Sequence, residues 1–198
     1  MAPVIVDPSK VHEFPDAAAF YAWLAAHHDV ETEVWIKIHK LKSGRPSVTW
    51  AQAIEVALCW GWIDAIRKGF DDQSFLQRYT RRGPKSTWSQ INVATVERLI
   101  NDGRMTPHGL KHVEAAKADG RWDRAYSVKD MPFPADLKAA IDAEPLARAM
   151  FDKLSAQNRF AMAFQLHSLK TAAARERKIA RFVDMLKAGQ TLHPQRQT

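Results

Sequence analysis

Cysteine is almost absent from this chain, and so are long apolar runs. Cys59 is the single cysteine among 198 residues, which excludes an internal disulfide and a disulfide-framed secreted domain. The longest apolar run, residues 56–63, is far shorter than the roughly 20 residues that a transmembrane helix needs. The opening MAPVIVDPSK lacks a charged segment followed by an apolar run, so we expect no signal peptide. We therefore expect a cytoplasmic protein.

Common catalytic motifs are also missing. The chain contains no G-x-S-x-G, no H-E-x-x-H and no G-x-G-x-x-G. Its GPKST, residues 83–87, ends like a phosphate-binding loop, but proline separates the glycine from the lysine. Arg78 also stands where that loop requires its first glycine, so we reject a phosphate-binding loop. The motifs therefore favour a protein without catalytic activity.

Metal and cofactor chemistry has little support in the sequence. His108 and His112 lie four residues apart on a predicted helix, but no third ligand of the right kind is nearby in sequence. Exposed polar helix residues are the favoured interpretation of this pair. Cys59 lies among apolar residues within another predicted helix, so we expect a buried, inert thiol. We expect neither a metal nor a cofactor.

Acidic residues are fewer than basic residues. With 29 Lys and Arg against 22 Asp and Glu, the net charge of +7 favours anionic partners such as phosphorylated metabolites, nucleic acid or anionic membrane faces. The last predicted helix is basic, but its apolar stripe favours the outer helix of a small bundle over a nucleic-acid surface. Its cations are Arg175, Arg177, Lys178, Arg181 and Lys187.

The hydrophobic periodicity predicts an α+β fold. A small, mainly antiparallel three-stranded sheet, about 33–39, 65–71 and 75–82, packs on helices 17–28 and 49–62. Thr49 and Gln52 match a capping box at the start of the second helix. Further helices begin at Ser86 or Thr87 and at Thr106.

Beyond this part, the sequence shows only helical patterns. We predict an α+β domain at 1–125, a connector at 126–134, a helical region at 135–189 and a flexible tail at 190–198. The C-terminal helices are predicted at about 135–143, 146–153, 156–168 and 172–188.

One stretch resembles a known family. Residues 57–92 read ALCWGWIDAIRKGFDDQSFLQRYTRRGPKSTWSQIN, with G-W-I-D after a helix, then R-Y-T-R-R, then P-K-S-x-W-S-x-x-N. This pattern is similar to the signature of the YdeI/OmpD-associated, or bacteriocin-protection, family. Residues 103–126 and 174–189 also resemble segments of that family. One departure is Gly83, where similar chains often carry a basic residue.

The resemblance implies a biological role but no particular chemical reaction. The family name links it to bacteriocin or antimicrobial-peptide tolerance and to an outer-membrane porin. It implies no particular reaction, substrate or catalytic residue. We expect an indirect, cytoplasmic role in envelope stress.

The same stretch contains the candidate site. A helix N-terminus beside an arginine is an anion-binding arrangement, so we predict a small pocket for an anion. Strand alternation places Arg81 and Arg82 on opposite faces, and only one of them is expected in the pocket. The predicted ligand-binding residues are Trp62, Arg81, Lys85, Ser86, Trp88, Ser89 and Asn92.

A purely structural interpretation stays open beside this one. In it the tryptophans, Trp60 among them, are core, and Asp64 forms an internal ion pair with Arg78. Asp64 is also the candidate catalytic residue, as acid or base in an uncharacterised enzyme. The leading hypothesis is a non-enzymatic binding protein; the alternatives are that enzyme and nucleic-acid binding through basic helices.

Overall fold

The chain divides into two compact units, Met1–Tyr126 and Ser127–Thr198. The computed structural model describes residues 4–127, 131–167, 169 and 171–195. The domain boundaries that the sequence indicates stay a prediction, because residues 128–130 of the connector and 196–198 of the tail lie outside that description. Among the described residues, no helix is long and apolar enough to cross a membrane.

The first unit is α+β, which confirms the predicted class. Its strands form one sheet in the order β1-β2-β4-β3. The strands are β1 (Val11–His12), β2 (Glu33–His39), β3 (Trp62–Gly69) and β4 (Ser74–Arg81). The helices are α1 (Ala17–His27), α2 (Trp50–Cys59), α3 (Gln90–Asn101) and α4 (Pro107–Ala118).

The sheet differs from the prediction in one strand. It has four strands and is mixed, because β1 pairs in parallel with β2 through Val11 and Trp35. The remaining pairs, β2 with β4 and β3 with β4, are antiparallel as predicted. A strand of two residues shows no alternation of apolar and polar side chains, so periodicity does not reveal β1.

One face of the sheet packs on α1 and α2. Val34, Ile36 and Ile38 alternate along β2 and are almost fully buried. They form one core cluster with helix residues such as Phe20 and Val56. This packing holds α2 against the sheet, so the end of α2 and the start of β3 have fixed positions.

A tight turn at Gly61 joins α2 to β3. The predicted helix 49–62 ends at Cys59, because Gly61 adopts φ +69° and the chain is extended from Trp62 onward. A Cβ on Gly61 would lie 2.4 Å from Cδ2 of His112. A Cβ on Gly109 would lie 2.3 Å from the carbonyl oxygen of Cys59. Glycine at both positions therefore allows α4 to approach the end of α2 closely.

The start of α3 also differs from the prediction. The helix begins at Gln90 and is capped by Ser89, whose hydroxyl accepts a hydrogen bond from the Asn92 amide at 3.2 Å. Ser86 and Thr87 precede the helix, because the backbone before it pairs with Tyr126: the Tyr126 amide donates to the Trp88 carbonyl at 2.9 Å. In contrast, the capping box of Thr49 and Gln52 forms as predicted.

The second unit is helical, and its helices lie within one residue of the predicted bounds. They are α5 (Ala135–Asp142), α6 (Pro145–Asp152), α7 (Ala156–His167) and α8 (Ala172–Lys187). Leu137, Ile141, Met162 and Leu166 are fully buried in its core. This unit therefore has a hydrophobic core of its own.

The described part of the predicted tail is hydrogen-bonded to α7 and the residues before it. The Asn158 side chain donates to the His193 carbonyl at 3.1 Å and accepts from the His193 amide at 2.8 Å. The Gln195 side chain accepts from the Ser155 amide at 3.0 Å. Asn158 is 1 % exposed, and these bonds satisfy its buried amide.

Gly61→Ala should lower the free energy of unfolding by more than Gly44→Ala does. Both glycines are left-handed, at φ +69° and +68°, so each alanine carries a conformational penalty; that penalty is about 1–2 kcal/mol. A Cβ at Gly44 meets nothing within 4 Å, whereas one at Gly61 meets His112. Urea unfolding of both variants measures the difference. His112→Ala should restore part of the Gly61→Ala loss, and equal losses at the two glycines would contradict the close contact.

Candidate functional site

The first unit contains a cavity of about 200 Å³, here called the cleft. It lies where the residues after α1, the Gly61 turn, the end of β4 and one face of α4 meet. Two hydrogen bonds to the end of α2 fix α4 there: the Thr106 amide and hydroxyl donate to the Cys59 carbonyl at 3.2 and 2.6 Å. The lining residues are His28, Asp29, Trp60, Gly61, Trp62, Arg81, Arg82, His108 and His112.

Arg82 is a buried cation in this cleft, with an exposed fraction of 3 %. Its Nη1 donates to the Ser86 hydroxyl at 3.3 Å and to the Thr87 carbonyl at 3.0 Å. Its guanidinium lies 3.6 Å from the centroid of the Trp88 ring, in cation–π contact. Nε and Nη2 are buried and have no acceptor among the described residues. Arg82 is therefore held rigidly, with one edge of its guanidinium unused.

Burial, followed by the neighbouring Arg121 cation, lowers the pKa of Arg82 to about 10. A guanidinium with that pKa is still charged at neutral pH. A buried charge without a paired carboxylate is costly, and such groups are concentrated at functional sites. Strand alternation places Arg82 opposite Arg81, so the predicted site omits Arg82.

Three imidazoles line the cleft, those of His28, His108 and His112. His28 Nδ1 is 2.9 Å from the Leu24 carbonyl. Because a carbonyl only accepts, Nδ1 must carry a proton, and the buried Nε2 has no hydrogen-bond partner among the described residues. Burial, followed by the Arg82 cation, lowers the pKa of His112. Burial, followed by His28 and Lys111, lowers the pKa of His108.

Trp60 and Trp62 both line the cleft and both contact the core. Trp60 is half-buried and packs against two core clusters, and its ring also lies 4.6 Å from that of His28 in the cleft. Its Nε1 is buried without an acceptor among the described residues. Trp62 also lines the cleft but is 1 % exposed and packs edge-on against Trp23 in the core. The tight turn at Gly61 separates the directions of the two rings.

Arg81 and Arg82 both line the cleft, which corrects the expectation that only one of them enters the pocket. The alternation that separates neighbouring side chains holds only within a strand, and β4 ends at Arg81. The Arg82 amide then donates to the Gly61 carbonyl at 2.9 Å, which turns its side chain inward. Arg81 is exposed, and its Nε donates to the Glu31 carbonyl at 2.6 Å.

The other predicted ligand-binding residues do not line the cleft. Ser86 supports Arg82, Trp88 is the ring beneath it, and Ser89 caps α3. Lys85 is exposed, and Asn92 contributes its backbone amide to that cap. Trp88 and Asn92 do not share a helix face, because α3 begins only at Gln90. The predicted list therefore combines two cleft residues, Trp62 and Arg81, with two residues that support Arg82, Ser86 and Trp88, and three that contact neither.

Asp64 and Arg78 do not pair. Arg78 lies opposite Trp35 in the sheet, and its Nε donates to the Glu33 carboxylate at 2.6 Å. Asp64 lies opposite Tyr79, one residue further along β4, so its side chain is on the other face of the sheet. The predicted internal ion pair is therefore replaced by Glu33–Arg78.

Asp64 is half-buried beside a β-bulge and is not among the cleft-lining residues. The bulge lies between Asp64 and Arg67, and the Gln77 amide donates to its carbonyls at Ala65 (3.3 Å) and Ile66 (3.4 Å). Burial raises the pKa of Asp64, more than the Arg82 and Arg67 cations lower it. Its assignment as acid or base stays a prediction.

Two parts of the chain match known protein families. Residues 130–189 match the family described as Bacteriocin-protection, YdeI or OmpD-Associated. This match supports the resemblance to that family in the helical region. Residues 12–112, just over half of the chain, match a domain of unknown function (DUF8412), so the chain belongs to that domain family. No curated protein and no solved structure matches the chain.

The bacteriocin-protection match and the cleft lie in different parts of the chain. The stretch 57–92, from which the resemblance was drawn, falls within the DUF8412 match, as does the whole cleft. The bacteriocin-protection match covers the helical region, including the basic segment 174–189. Within the described residues of the chain, no cluster of His, Cys, Asp or Glu could hold a metal ion.

Sequence reasoning missed most of the cleft. Its two best signals were present: the histidine pair on α4 and the glycine between Trp60 and Trp62. The sequence favours exposed polar helix residues over a metal site for this pair, although two imidazoles on one helix face also suit a cleft wall. His28 and Asp29 have no sequence signal, because they follow a helix end far from the motif.

Arg82→Gln should raise the pKa of His112. After burial, the Arg82 cation is the next cause of the lowered value, and its removal favours the protonated imidazole. NMR titration of the histidine ring protons measures the change. Arg81→Gln is the control, because Arg81 is not among the causes acting on His112. An unchanged His112 in Arg82→Gln would contradict the proximity of the two groups.

Asp64→Asn should raise the free energy of unfolding at neutral pH. The folded-state pKa of Asp64 is raised by burial, so its ionised form opposes folding, and wild type gains stability as pH falls toward that pKa. Asp71→Asn is the matched control with the opposite sign, since hydrogen bonds from Ser74 and Gln73 lower the pKa of Asp71. Urea unfolding at pH 7 and pH 5 tests both. A loss of stability in Asp64→Asn would contradict the burial argument.

Proposed function

We propose that the protein is a non-enzymatic, cytoplasmic binding protein that recognises a small anion in the cleft. The observation that carries the proposal is the unused edge of Arg82. Nε and Nη2 are adjacent donors of one planar group, and both are buried without an acceptor among the described residues. Two parallel N–H groups match the two oxygens of a carboxylate or phosphate.

The fixed position of the Arg82 guanidinium supports a role in ligand binding. The stack on Trp88 and the two hydrogen bonds from Nη1 hold the guanidinium before any ligand arrives. A preorganised receptor loses little side-chain entropy when it binds. Leaving buried donors unpaired costs about 1–3 kcal/mol for each group. An anion on this edge would remove that cost.

The walls of the cleft also suit an anion. Arg81 adds a second cation, and Trp60 adds an indole N–H that has no acceptor in the described part of the chain. Asp29 is the one carboxylate among the lining residues. The imidazoles of His108 and His112 each gain a second N–H donor when protonated. Affinity should therefore rise as pH falls, because a bound anion raises the pKa of each imidazole beside it.

An enzymatic function has weaker support. Burial raises the pKa of Asp64, as a proton-transferring carboxylate requires, but Asp64 does not line the cleft where a substrate would lie. Nucleic-acid binding through α8 also has less support. Two of its five cations are already paired, Arg175 with Asp136 and Lys187 with Glu144.

The family supplies the biological setting of the proposal. Its description names bacteriocin protection and association with OmpD. We place the anion-binding protein in tolerance to bacteriocins or other antimicrobial peptides, as part of the response to envelope stress. A deletion strain complemented with Arg82→Gln should stay sensitive, whereas wild type and Arg81→Gln should restore tolerance. Full tolerance with Arg82→Gln would separate the cleft from that role.

Phosphate, sulfate or acetate should raise the melting temperature of the wild-type protein, and the response should depend on Arg82. A ligand at 100 times its Kd adds about 2.7 kcal/mol, which for this chain length corresponds to roughly 5–10 °C. Arg82→Gln should lose the shift. Arg82→Lys should lose most of it, because lysine keeps the charge but not the two parallel donors. Differential scanning calorimetry at pH 6 and pH 8 measures each case.

The Arg81→Gln variant tests whether the anion binds mainly at the buried Arg82 or at the exposed Arg81. It should keep at least half of the anion shift, because the Arg81 Nε already has a carbonyl partner. An equal shift in wild type and in a folded Arg82→Lys protein would overturn the assignment to Arg82. So would a shift that Arg81→Gln alone removes.

A further inference from the structure

A second cavity lies wholly within the helical unit and differs in chemistry from the cleft. It is a groove of about 580 Å³, within the range of small-molecule pockets. Its walls include Met131, Phe133, Phe151 and Phe160, with Lys138 and Arg159 as its charged residues. Neither the family description nor the proposed function assigns a role to it.

The groove has an aromatic floor that continues the core. Phe151 is 6 % exposed, and its ring lies 5.0 Å from that of Phe133. Phe133 and Phe160 are half-buried, so their remaining surface faces the groove side of the unit. Met131 adds a flexible apolar side chain, a type that adapts to ligands of irregular shape. This surface suits an elongated hydrocarbon.

Arg159 is a positioned cation at this floor. Its Nη2 donates to the carbonyls of Phe151 (3.3 Å) and Asp152 (3.1 Å), and its guanidinium lies 4.8 Å from the Phe151 ring. Its Nε is buried and has no acceptor among the described residues. A fixed guanidinium with an unpaired donor beside an apolar floor favours an anionic headgroup.

The remaining charges agree with an anionic headgroup. Among the described residues that line the groove there is no carboxylate. Asp142, the partner of the Lys138 ammonium at 2.6 Å, is itself also bound by Arg148. The first residue of α7, Ala156, also lines the groove, so the positive end of that helix dipole is at its edge. A cationic amphiphile would meet only like charges there.

We propose that this groove binds a long-chain carboxylate, with the hydrocarbon chain on Phe133, Phe151 and Phe160 and the carboxylate on Nε of Arg159. Binding requires both parts of the ligand: the hydrocarbon covers the apolar floor, and the carboxylate pairs with the positioned charge of Arg159. The proposal is independent of the anion in the cleft, since every residue it uses lies in the second unit.

Three amphiphiles with the same chain test the headgroup. Isothermal titration calorimetry of the full chain with dodecanoate, dodecanol and dodecyltrimethylammonium, each below its micellar range, should give saturable binding of dodecanoate. The neutral and cationic compounds should bind at least tenfold more weakly. Equal affinity for all three, or no saturable binding of dodecanoate, would overturn the proposal.

Two variants locate the site. Arg159→Gln should weaken dodecanoate at least tenfold, while Arg177→Gln, at an exposed arginine of α8, should leave it unchanged. Phe160→Glu places a carboxylate in the groove and should exchange the preference, so that the cationic amphiphile binds better than dodecanoate. This exchange of preference keeps the test decisive if Arg159→Gln fails to fold. Unchanged dodecanoate binding in a folded Phe160→Glu protein would place any site elsewhere.

Vesicles distinguish a free carboxylate from an anionic membrane. The wild-type protein should not sediment with phosphatidylglycerol vesicles, because the proposed site holds a single chain and a single charge. Sedimentation that Arg159→Gln removes would overturn the proposal in favour of a membrane surface.

Discussion

The left-handed turn at Gly61 is the constraint on which the cleft depends. It ends α2, starts β3, and exposes two main-chain carbonyls to other elements: Cys59 accepts from Thr106, and Gly61 accepts from the Arg82 amide at 2.9 Å. A residue with a Cβ could not take this conformation beside His112 without displacing it. One glycine thus brings the end of a helix, the end of a strand and the start of α4 to a common point.

The burial of Arg82 follows from that convergence and has an energetic consequence. The stack of Arg82 on Trp88 contributes about 0.5–2 kcal/mol to stability. The hydrogen bonds of Arg82 offset part of the cost of desolvating its charge. The unpaired Nε and Nη2 work against these gains, so the arrangement does not maximise stability. A buried polar group without a partner needs an explanation, and a bound ion is one. An apolar side chain of similar size would pack on Trp88 without this cost.

Much of the fold can be predicted from local patterns, whereas the cleft cannot. The Thr49 capping box, the Thr106 cap and the four C-terminal helices depend on neighbouring residues, and each is found where the sequence indicates it. Arg82 depends on where β4 stops, which is set by a hydrogen bond to a residue 21 positions earlier. Strand alternation therefore predicts that one of the two arginines enters the pocket, whereas both line the cleft. Trp60 lines the cleft as well, because the turn after it separates the direction of its ring from that of Trp62.

The two units repeat one device in different surroundings. Among the described residues, Arg82 and Arg159 are the only lysines or arginines that bury a side-chain nitrogen without an acceptor. Each is held by main-chain carbonyls and lies on an aromatic ring, at 3.6 Å from Trp88 and 4.8 Å from Phe151. Other cations, such as Arg98 and Arg148, are exposed and paired with carboxylates, so they add little to recognition.

The net charge of +7 therefore says less about partners than the placement of two guanidinium groups. Imidazoles and a second arginine surround Arg82. This environment favours a compact, strongly hydrated anion, because many hydrogen-bond donors of the protein can replace its water shell. Phenylalanines surround Arg159, which favours an anion that brings its own hydrocarbon surface. The same charged group thus selects different ligands, because the side chains around it decide how the rest of the ligand is desolvated.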